Sequence, residues 1–237
     1  MRLSAIIFDF DGLILDTETP ILTSWQEAFR ERGVELSVDV WQQALGTHGV
    51  VDFLAHLETL TNQEIDREAV ESEVRARNRE RCRAERVRPG IEDRLTEARE
   101  AGLSLAVASS SSREWVEGWL DHHHLRERFD TVCTRDDVDR VKPAPDLLLL
   151  AANRMNVRAD ECLVLEDSPN GLRAAHAAQM RCVVIPNSVT RPLAFPGADL
   201  LIESAERSLV EIAEILDLTW AADLDTPRFG AVRNSPG

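Results

Sequence analysis

The 237-residue sequence is poor in basic charge, and this shortage excludes two classes of partner. Lys and Arg number 27 against 42 Asp and Glu, and the formal net charge is −15 at pH 7. A surface with this excess of negative charge repels nucleic-acid backbones and anionic lipids. We therefore expect neither a nucleic-acid partner nor a membrane partner.

Cysteine and long apolar runs are also scarce. The four cysteines are Cys82, Cys133, Cys162 and Cys182. None belongs to a Cys-x-x-Cys pair, so their spacing predicts reduced, mostly buried thiols and no metal site. The longest purely apolar run covers residues 147–152, whereas a membrane-spanning helix needs about 20 apolar residues. Asp9 lies where a signal peptide would be apolar, and we expect a soluble, cytoplasmic protein.

Lysine is the scarcest charged residue. Of the 27 basic residues, 26 are arginine and one, Lys142, is lysine. A chain that otherwise uses arginine keeps a compact ammonium group at this one position. The position therefore calls for a functional reason.

The apolar pattern predicts an α/β fold with a helical insert. Residues 3–8 form a strand-like apolar run, and residues 17–86 carry almost only helical periodicity. Beyond Pro89-Gly90, helices and strands alternate at short spacing, which is typical of a parallel sheet covered on both faces. We predict a doubly wound, Rossmann-like parallel-sheet core of residues 1–17 and 87–218, interrupted by a helical domain of residues 18–86 and followed by a C-terminal extension, residues 219–237.

Polar side chains follow the predicted strands in order. In an open parallel sheet, ligands bind at the carboxyl ends of the strands. The residues placed there are Asp9, Asp11, Ser109, Ser110, Lys142, Glu166 and Asp167. Carboxylates gathered at one edge would repel each other, and a divalent cation relieves this repulsion. Ligation by oxygen atoms alone points to Mg²⁺.

The residue types suggest phosphoryl chemistry. Asp9 and Asp11 are two apart in an extended stretch, so their side chains leave on the same side. One can act as a nucleophile while the other carries a proton to the leaving group. Ser109 and the backbone N–H groups that follow it suit a phosphate, and Lys142 can neutralise both the nucleophile and the transferring phosphoryl group.

Each motif also has a purely structural interpretation. Asp-x-Asp-Gly after a strand is often only a turn. The serine run before Arg113 is an ordinary helix N-cap, and Ser168-Pro169 is an ordinary helix start. Capping does not explain why these residues arrive at the ends of successive strands.

These motifs resemble those of the haloacid dehalogenase superfamily of aspartate-nucleophile phosphotransferases. Residues 9–18 (DFDGLILDTE) resemble its first motif, Ser109 its second, Lys142-Pro143 its third and Glu166-Asp167 its fourth. The similarity extends from residue 3 to about residue 190 and includes the position of the helical cap. Within the superfamily, the chain is most similar to the branch of β-phosphoglucomutase and the small sugar-phosphate phosphatases.

The resemblance implies a role for each motif residue. Asp9 would attack phosphorus, and Asp11 would protonate the leaving oxygen and then deprotonate the hydrolytic water. Mg²⁺ would be held by Asp9, the backbone carbonyl of Asp11 and Asp167, with Glu166 adjacent, directly or through water. Ser109 and Lys142 would bind the phosphoryl oxygens, and Ser110, next to Ser109, would also contact the phosphate.

This sequence differs from the patterns of mutases, phosphonatases and dehalogenases of the superfamily, and the differences favour a phosphatase that acts on a small phosphate monoester. Mutases of this branch place a histidine and basic residues where this chain has Ile21, Leu45 and Gly49; phosphonatases need a cap lysine, and dehalogenases lack the second aspartate of the first motif. A phosphomutase remains the alternative, and a non-catalytic binding protein is the third. His48, in the loop 45–49, is a candidate substrate contact or a surface histidine. The arginines of residues 75–88 are expected on a solvated helix with glutamate partners, and the alternative is that Arg75 or Arg77 faces the cleft. The oligomeric state is left open.

Overall fold

A computed structural model defines residues 1–43 and 51–220 of the chain. Within these residues six strands form one sheet, ordered β3-β2-β1-β4-β5-β6, in which every neighbouring pair is parallel. The strands are β1 (Ala5–Phe8), β2 (Ser104–Ala108), β3 (Thr131–Cys133), β4 (Cys162–Glu166), β5 (Arg181–Val184) and β6 (Leu200–Leu201). The predicted α/β parallel-sheet fold is confirmed.

In the described part of the chain, four helices lie within residues 18–86, the predicted helical insert between β1 and Pro89. They are α1 (Glu18–Arg30), α2 (Val38–Gln42), α3 (Phe53–Thr61) and α4 (Arg67–Cys82). The side chains of Ser37, Asp52 and Asp66 accept hydrogen bonds from backbone N–H groups in the first turns of α2, α3 and α4. These caps satisfy donors that a helix start leaves without intrahelical partners. The exact domain boundaries stay predictions.

The remaining helices flank the sheet. They are α5 (Ile91–Glu100), α6 (Arg113–His122), α7 (Asp146–Arg154), α8 (Pro169–Ala177) and α9 (Leu209–Ile215), with short 3₁₀ turns at Arg126–Arg128, Arg135–Asp137 and Ala159–Glu161. Along β1, Ile6 and Phe8 belong to one apolar cluster, and Ala5 and Ile7 belong to another on the opposite face. The sheet is therefore buried on both faces, as a parallel sheet requires.

The inserted helices α1–α4 have an apolar cluster of their own. Phe29, Leu57 and Val74 are buried in it, and Val189, from the segment after β5, joins it. This contact packs the inserted helices against a segment that leaves the sheet.

Two backbone hydrogen bonds define the ends of chain segments at the sheet. β4 extends to Glu166, because the backbone carbonyl of Glu166 accepts a hydrogen bond from the N–H of Ile185 (2.7 Å) and continues the pairing with β5. Thr219 pairs with the chain start, since Leu3 N–H donates to its carbonyl (2.7 Å).

None of the helices in the described part of the chain combines the length and the apolarity that a bilayer crossing requires.

Candidate active site

The chain turns sharply after β1 and directs Asp9 and Asp11 to the edge of the sheet. Gly12 has φ +81°, and a Cβ atom there would lie 2.4 Å from Asp167 Oδ2 and 2.5 Å from Asn187 Nδ2. Both the conformation and the space therefore require glycine. Arg88 donates to the carbonyl of Gly12 and fixes the turn from the other side.

Lys142 is buried between two carboxylates. Its Nζ donates to Asp9 Oδ1 (2.5 Å) and to Glu166 Oε1 (2.6 Å). Burial alone would lower the pKa of Lys142, but the charges of Asp9 and Glu166 outweigh burial and raise the pKa above its ordinary value. The single lysine is thus held as a cation beside Asp9, which explains why this position keeps an ammonium group.

Glu166 has a second set of donors on its other oxygen. Its Oε2 accepts hydrogen bonds from the backbone N–H groups of Asp167 (2.9 Å) and Ser168 (3.0 Å) and from the Ser168 hydroxyl (3.0 Å). With Oε1 occupied by Lys142, both oxygens of the carboxylate are engaged. This geometry suits a residue that fixes Lys142 against the start of α8. Glu166 is expected to contact Mg²⁺ either directly or through water, and the engagement of both its oxygens favours the contact through water.

Asp9, Glu166 and Asp167 form a buried carboxylate cluster in which one oxygen from each lies within 4.8 Å of the others. Burial, with the nearby charges of Glu166 and Asp11 adding to it and Lys142 opposing it, raises the pKa of Asp9 to about 8. Burial together with Glu166 and Asp9 raises the pKa of Asp167 well above its usual range. One ammonium cannot compensate three carboxylates, and grouped hard oxygen donors fit Mg²⁺. Asn187, which is not among the predicted site residues, donates its Nδ2–H to Asp167 Oδ2 (2.6 Å).

Asp11 lies against the segment that follows β2. Its Oδ2 accepts from the hydroxyls of Ser109 (3.0 Å) and Ser111 (2.7 Å). Its Oδ1 accepts from Thr17 Oγ1 (2.8 Å) and from the indole Nε1 of Trp115 (2.8 Å). Thr17, Ser111 and Trp115 are not among the site residues that the sequence predicts. Thr17 lies within the first motif, which is a signal that could have found it.

The serine run combines a capping role with a place in the site. Ser112 caps α6, and Ser109 Oγ accepts from Ser111 N–H (3.0 Å). The Ser110 hydroxyl is buried and has no hydrogen-bond partner within the described residues. A buried hydroxyl without a partner is costly unless a ligand satisfies it, so Ser110 is well placed to meet a phosphate oxygen.

A cavity of about 750 Å³ opens over Asp9 and Asp11. Its walls include apolar and aromatic side chains of the inserted helices, namely Ile21, Trp25, Trp41, Phe53, Leu54 and Val74. Glu18 also faces the cavity, and burial, aided by the charges of Asp11, Asp9 and Asp16, raises the pKa of Glu18 to about 8. The cavity is large enough for a phosphorylated small molecule.

The arginines of α4 are largely neutralised. Arg75 lines the cavity and pairs with Glu71 at 2.6 Å, the i,i+4 pairing expected from the sequence. Arg67 also lines the cavity and pairs with Asp52 at 2.6 Å. His48, Leu45 and Gly49 lie outside the described residues.

Comparisons with known proteins agree with these motifs. The family model of the haloacid dehalogenase-like hydrolases matches residues 6–185. A relative from Bacillus subtilis (strain 168), named "Putative phosphatase YhcW", is 42% identical over 215 residues, which cover 91% of this chain and 97% of the relative. Fructose-1-phosphate phosphatase YqaB of Escherichia coli (strain K12) is 32% identical over 182 residues, which cover 77% of this chain and 96% of the relative. The crystal structure of CbbY from Rhodobacter sphaeroides in complex with phosphate superposes with a TM-score of 0.73 at 32% identity, covering 92% of this chain and all of that one.

Proposed function

The chain belongs to the haloacid dehalogenase-like hydrolases, and on this premise we propose that it is a Mg²⁺-dependent phosphatase of a small phosphorylated metabolite, acting through an aspartyl phosphate at Asp9. Its relatives named as phosphatases make it a hydrolase of phosphate monoesters. The observation that carries the finer proposal is the arrangement around Lys142, which holds Asp9 on one side and Glu166 on the other. The proposed nucleophile Asp9 and the second aspartate, Asp11, both line the cavity, and the Lys142 cation is bonded to Asp9.

Phosphoryl transfer would proceed in two steps. A carboxylate oxygen of Asp9 attacks phosphorus while the bond from phosphorus to the leaving oxygen breaks, and Asp11 gives its proton to that oxygen. Asp11 then takes a proton from water as the water oxygen attacks phosphorus, the bond to Asp9 breaks and inorganic phosphate leaves. At the end, Asp11 is protonated again and Asp9 is free.

The other charged groups would stabilise the charge on the phosphoryl oxygens. Lys142 is in place before the reaction, so its charge requires little reorganisation at the transition state. Asp9, Asp167 and the carbonyl of Asp11 would hold Mg²⁺, with Glu166 acting through Lys142 and through water. Bound Mg²⁺ supplies positive charge to the transferring group.

The leaving group would contact the inserted helices. The names of two relatives, fructose-1-phosphate phosphatase and hexitol phosphatase B, refer to phosphorylated sugars and polyols. Glu18 and Trp25 both line the cavity. There Glu18 would accept hydrogen bonds from hydroxyl groups, and the Trp25 ring would pack against the apolar face of a sugar ring. We therefore expect a sugar phosphate. Ile21, an apolar residue at the cavity where mutases carry a histidine, argues against the mutase.

Substitution of the nucleophile tests the proposal. Asp9→Asn should lower the release of inorganic phosphate by at least about 10⁴-fold, because an amide cannot form the acyl phosphate. The measurement is phosphate release from a panel of sugar, polyol and nucleoside monophosphates, with and without Mg²⁺. Circular dichroism shows whether the variant stays folded, and Asp93→Asn, at an exposed site on α5, is the matched control that keeps full activity.

Three outcomes would overturn the proposal. Folded Asp9→Asn that keeps its activity would exclude the aspartyl phosphate. Interconversion of hexose phosphates without net phosphate release would identify a phosphomutase. Absence of turnover across the panel, with Mg²⁺ still bound, would favour a binding protein on this fold.

A further inference from the structure

Trp115 contacts the second aspartate of the site through the indole N–H, a contact that its position in the chain does not suggest. We propose that Trp115 is a positioning residue, which holds the Asp11 carboxyl group in the orientation needed for proton transfer to the leaving oxygen. This inference rests on the proposed phosphatase function. It adds a role for a residue outside the four motifs.

The chemistry of the donors distinguishes Trp115 from its neighbours. Asp11 receives four hydrogen bonds, three from the hydroxyls of Thr17, Ser109 and Ser111 and one from Trp115 Nε1 at 2.8 Å. A hydroxyl can rotate and either donate or accept, whereas an indole N–H can only donate. Trp115 therefore requires an acceptor at Oδ1 of Asp11. The serine hydroxyls at Oδ2 can reverse and accept, so Oδ2 is the oxygen suited to carry the transferred proton.

The indole of Trp115 is held in place by packing against Trp119 and the core. Trp115 packs edge-on against Trp119, with ring centroids 5.6 Å apart and an interplanar angle of 81°. Trp119 is buried in the core on one face of the sheet, whereas Trp115 is half-buried and lines the cavity. The core thus fixes the ring, and only its N–H edge is directed toward Asp11.

The local sequence explains how α6 delivers this group. Ser112 caps α6 by accepting from the backbone N–H of Trp115 (3.4 Å), which places Trp115 in the first turn. The residues just before the cap, Ser109 and Ser111, bind the other oxygen of the same carboxylate. The segment that joins β2 to α6 therefore binds one carboxylate oxygen of Asp11, and the first turn of α6 binds the other.

A leaving-group comparison separates positioning from a structural role. Trp115→Phe removes the N–H and keeps an aromatic ring. Loss of a hydrogen bond to a carboxylate should lower kcat/KM for a sugar or polyol phosphate by roughly 10- to 100-fold. The kcat/KM for 4-nitrophenyl phosphate should fall by less than about 3-fold, because nitrophenolate leaves without a proton and kcat/KM reports the step in which it leaves. KM for the sugar or polyol phosphate should change little.

Trp119→Phe is the matched control. It replaces an indole on the same helix that makes the same ring contact but is not bonded to Asp11 in the structure, so any effect of this change should be equal for the two substrates. Equal losses for both substrates in Trp115→Phe, or no loss for the sugar or polyol phosphate, would overturn the inference and leave the phosphatase intact. A wild-type protein that releases phosphate from neither substrate would instead overturn the proposed function, and the inference with it.

A second measurement follows the contact without turnover. In ¹⁵N spectra, the Trp115 indole N–H should exchange with solvent more slowly in the wild type than in Asp11→Ala, and Trp115→Phe assigns the resonance. Equal exchange in the two proteins would show that the carboxylate does not hold the indole, and this would also overturn the inference.

Discussion

Gly171, in the first turn of α8, lies against the carboxyl group of Glu166. A Cβ atom at this position would be 1.8 Å from Glu166 Cδ and Oε1. Helical glycine normally costs stability, because alanine loses less conformational entropy on folding. Here the missing side chain makes room for the group that binds Lys142, so the usual preference for alanine should be reversed.

The substitution Gly171→Ala should therefore destabilise the protein and lower kcat together. Displacement of Glu166 leaves Lys142 with one buried partner fewer, and we expect a loss of about 1–3 kcal/mol in the free energy of unfolding. Urea unfolding and phosphate release measure the two effects. Gly118→Ala is the control, since this helical glycine of α6 is exposed and a Cβ atom there meets nothing within 4 Å. It should stabilise by about 0.5–1 kcal/mol. A stabilised, fully active Gly171→Ala would show that Glu166 adapts and does not fix Lys142.

Among the elements, one carboxylate ties the end of β3 to two helices. Asp137 Oδ2 accepts from Thr134 N–H (2.8 Å) and from Arg113 Nη2 (2.6 Å), and Oδ1 accepts from Arg154 Nη2 (2.7 Å). Thr134 directly follows β3, Arg113 begins α6 and Arg154 ends α7. Partial burial would raise the pKa of Asp137, but the donors from Arg154 and Thr134 outweigh it and lower the pKa to about 2.

This lowered pKa gives the junction a defined pH dependence. The folded-state pKa lies below the ordinary value near 4, so the stabilisation is present above about pH 4 and is lost as the pH falls toward about 2. Asp137→Asn should cost about 2 kcal/mol at pH 7 in urea unfolding, and the difference from wild type should shrink below about pH 4. Asp121→Asn, at an exposed site on α6, should change stability by less than about 0.5 kcal/mol. A difference between wild type and Asp137→Asn that stays constant down to pH 2.5 would contradict the assigned pKa.

The fold could be predicted from the sequence because its pattern is local. Short apolar runs alternate with amphipathic helices, and each strand of a buried parallel sheet carries its own signal. The clustering of Asp9, Lys142 and Asp167 followed from one general rule, that strand ends meet at one edge of the sheet.

The rest of the site depends on distances that no local pattern encodes. Trp115 and Trp119 are four residues apart, the spacing of two neighbours on one helix face, and this spacing fits core packing without indicating a contact with Asp11. Only the rotation of α6 against Asp11 decides which edge of the indole enters the site. Asn187 is similar: it follows β5, yet nothing in its neighbours indicates that its amide binds Asp167. Such contacts are set by tertiary packing.

On the scale of the whole molecule, two electrostatic effects of different range must be separated. The net charge of −15 is spread over the chain, and any salt screens its self-repulsion. The cluster of Asp9, Glu166 and Asp167 is buried, so monovalent salt screens it much less. A divalent cation that binds this cluster in the folded state alone stabilises the entire fold by mass action.

Thermal unfolding should therefore distinguish Mg²⁺ from salt. At a Mg²⁺ concentration about 100 times its Kd, linkage adds about 2.7 kcal/mol, which for a chain of this size raises Tm by roughly 5–10 °C. NaCl at equal ionic strength should raise Tm less, because it acts only on the surface charge. Asp167→Asn should abolish the excess effect of Mg²⁺, whereas Asp39→Asn, at an exposed site on α2, should retain it. Either of two outcomes would show that the buried carboxylates are not the cation site. One is an equal Tm shift with MgCl₂ and NaCl in the wild type, which screening of the surface charge alone would produce. The other is an undiminished Mg²⁺ effect in Asp167→Asn, because a cation bound by the cluster would lose a ligand in this variant.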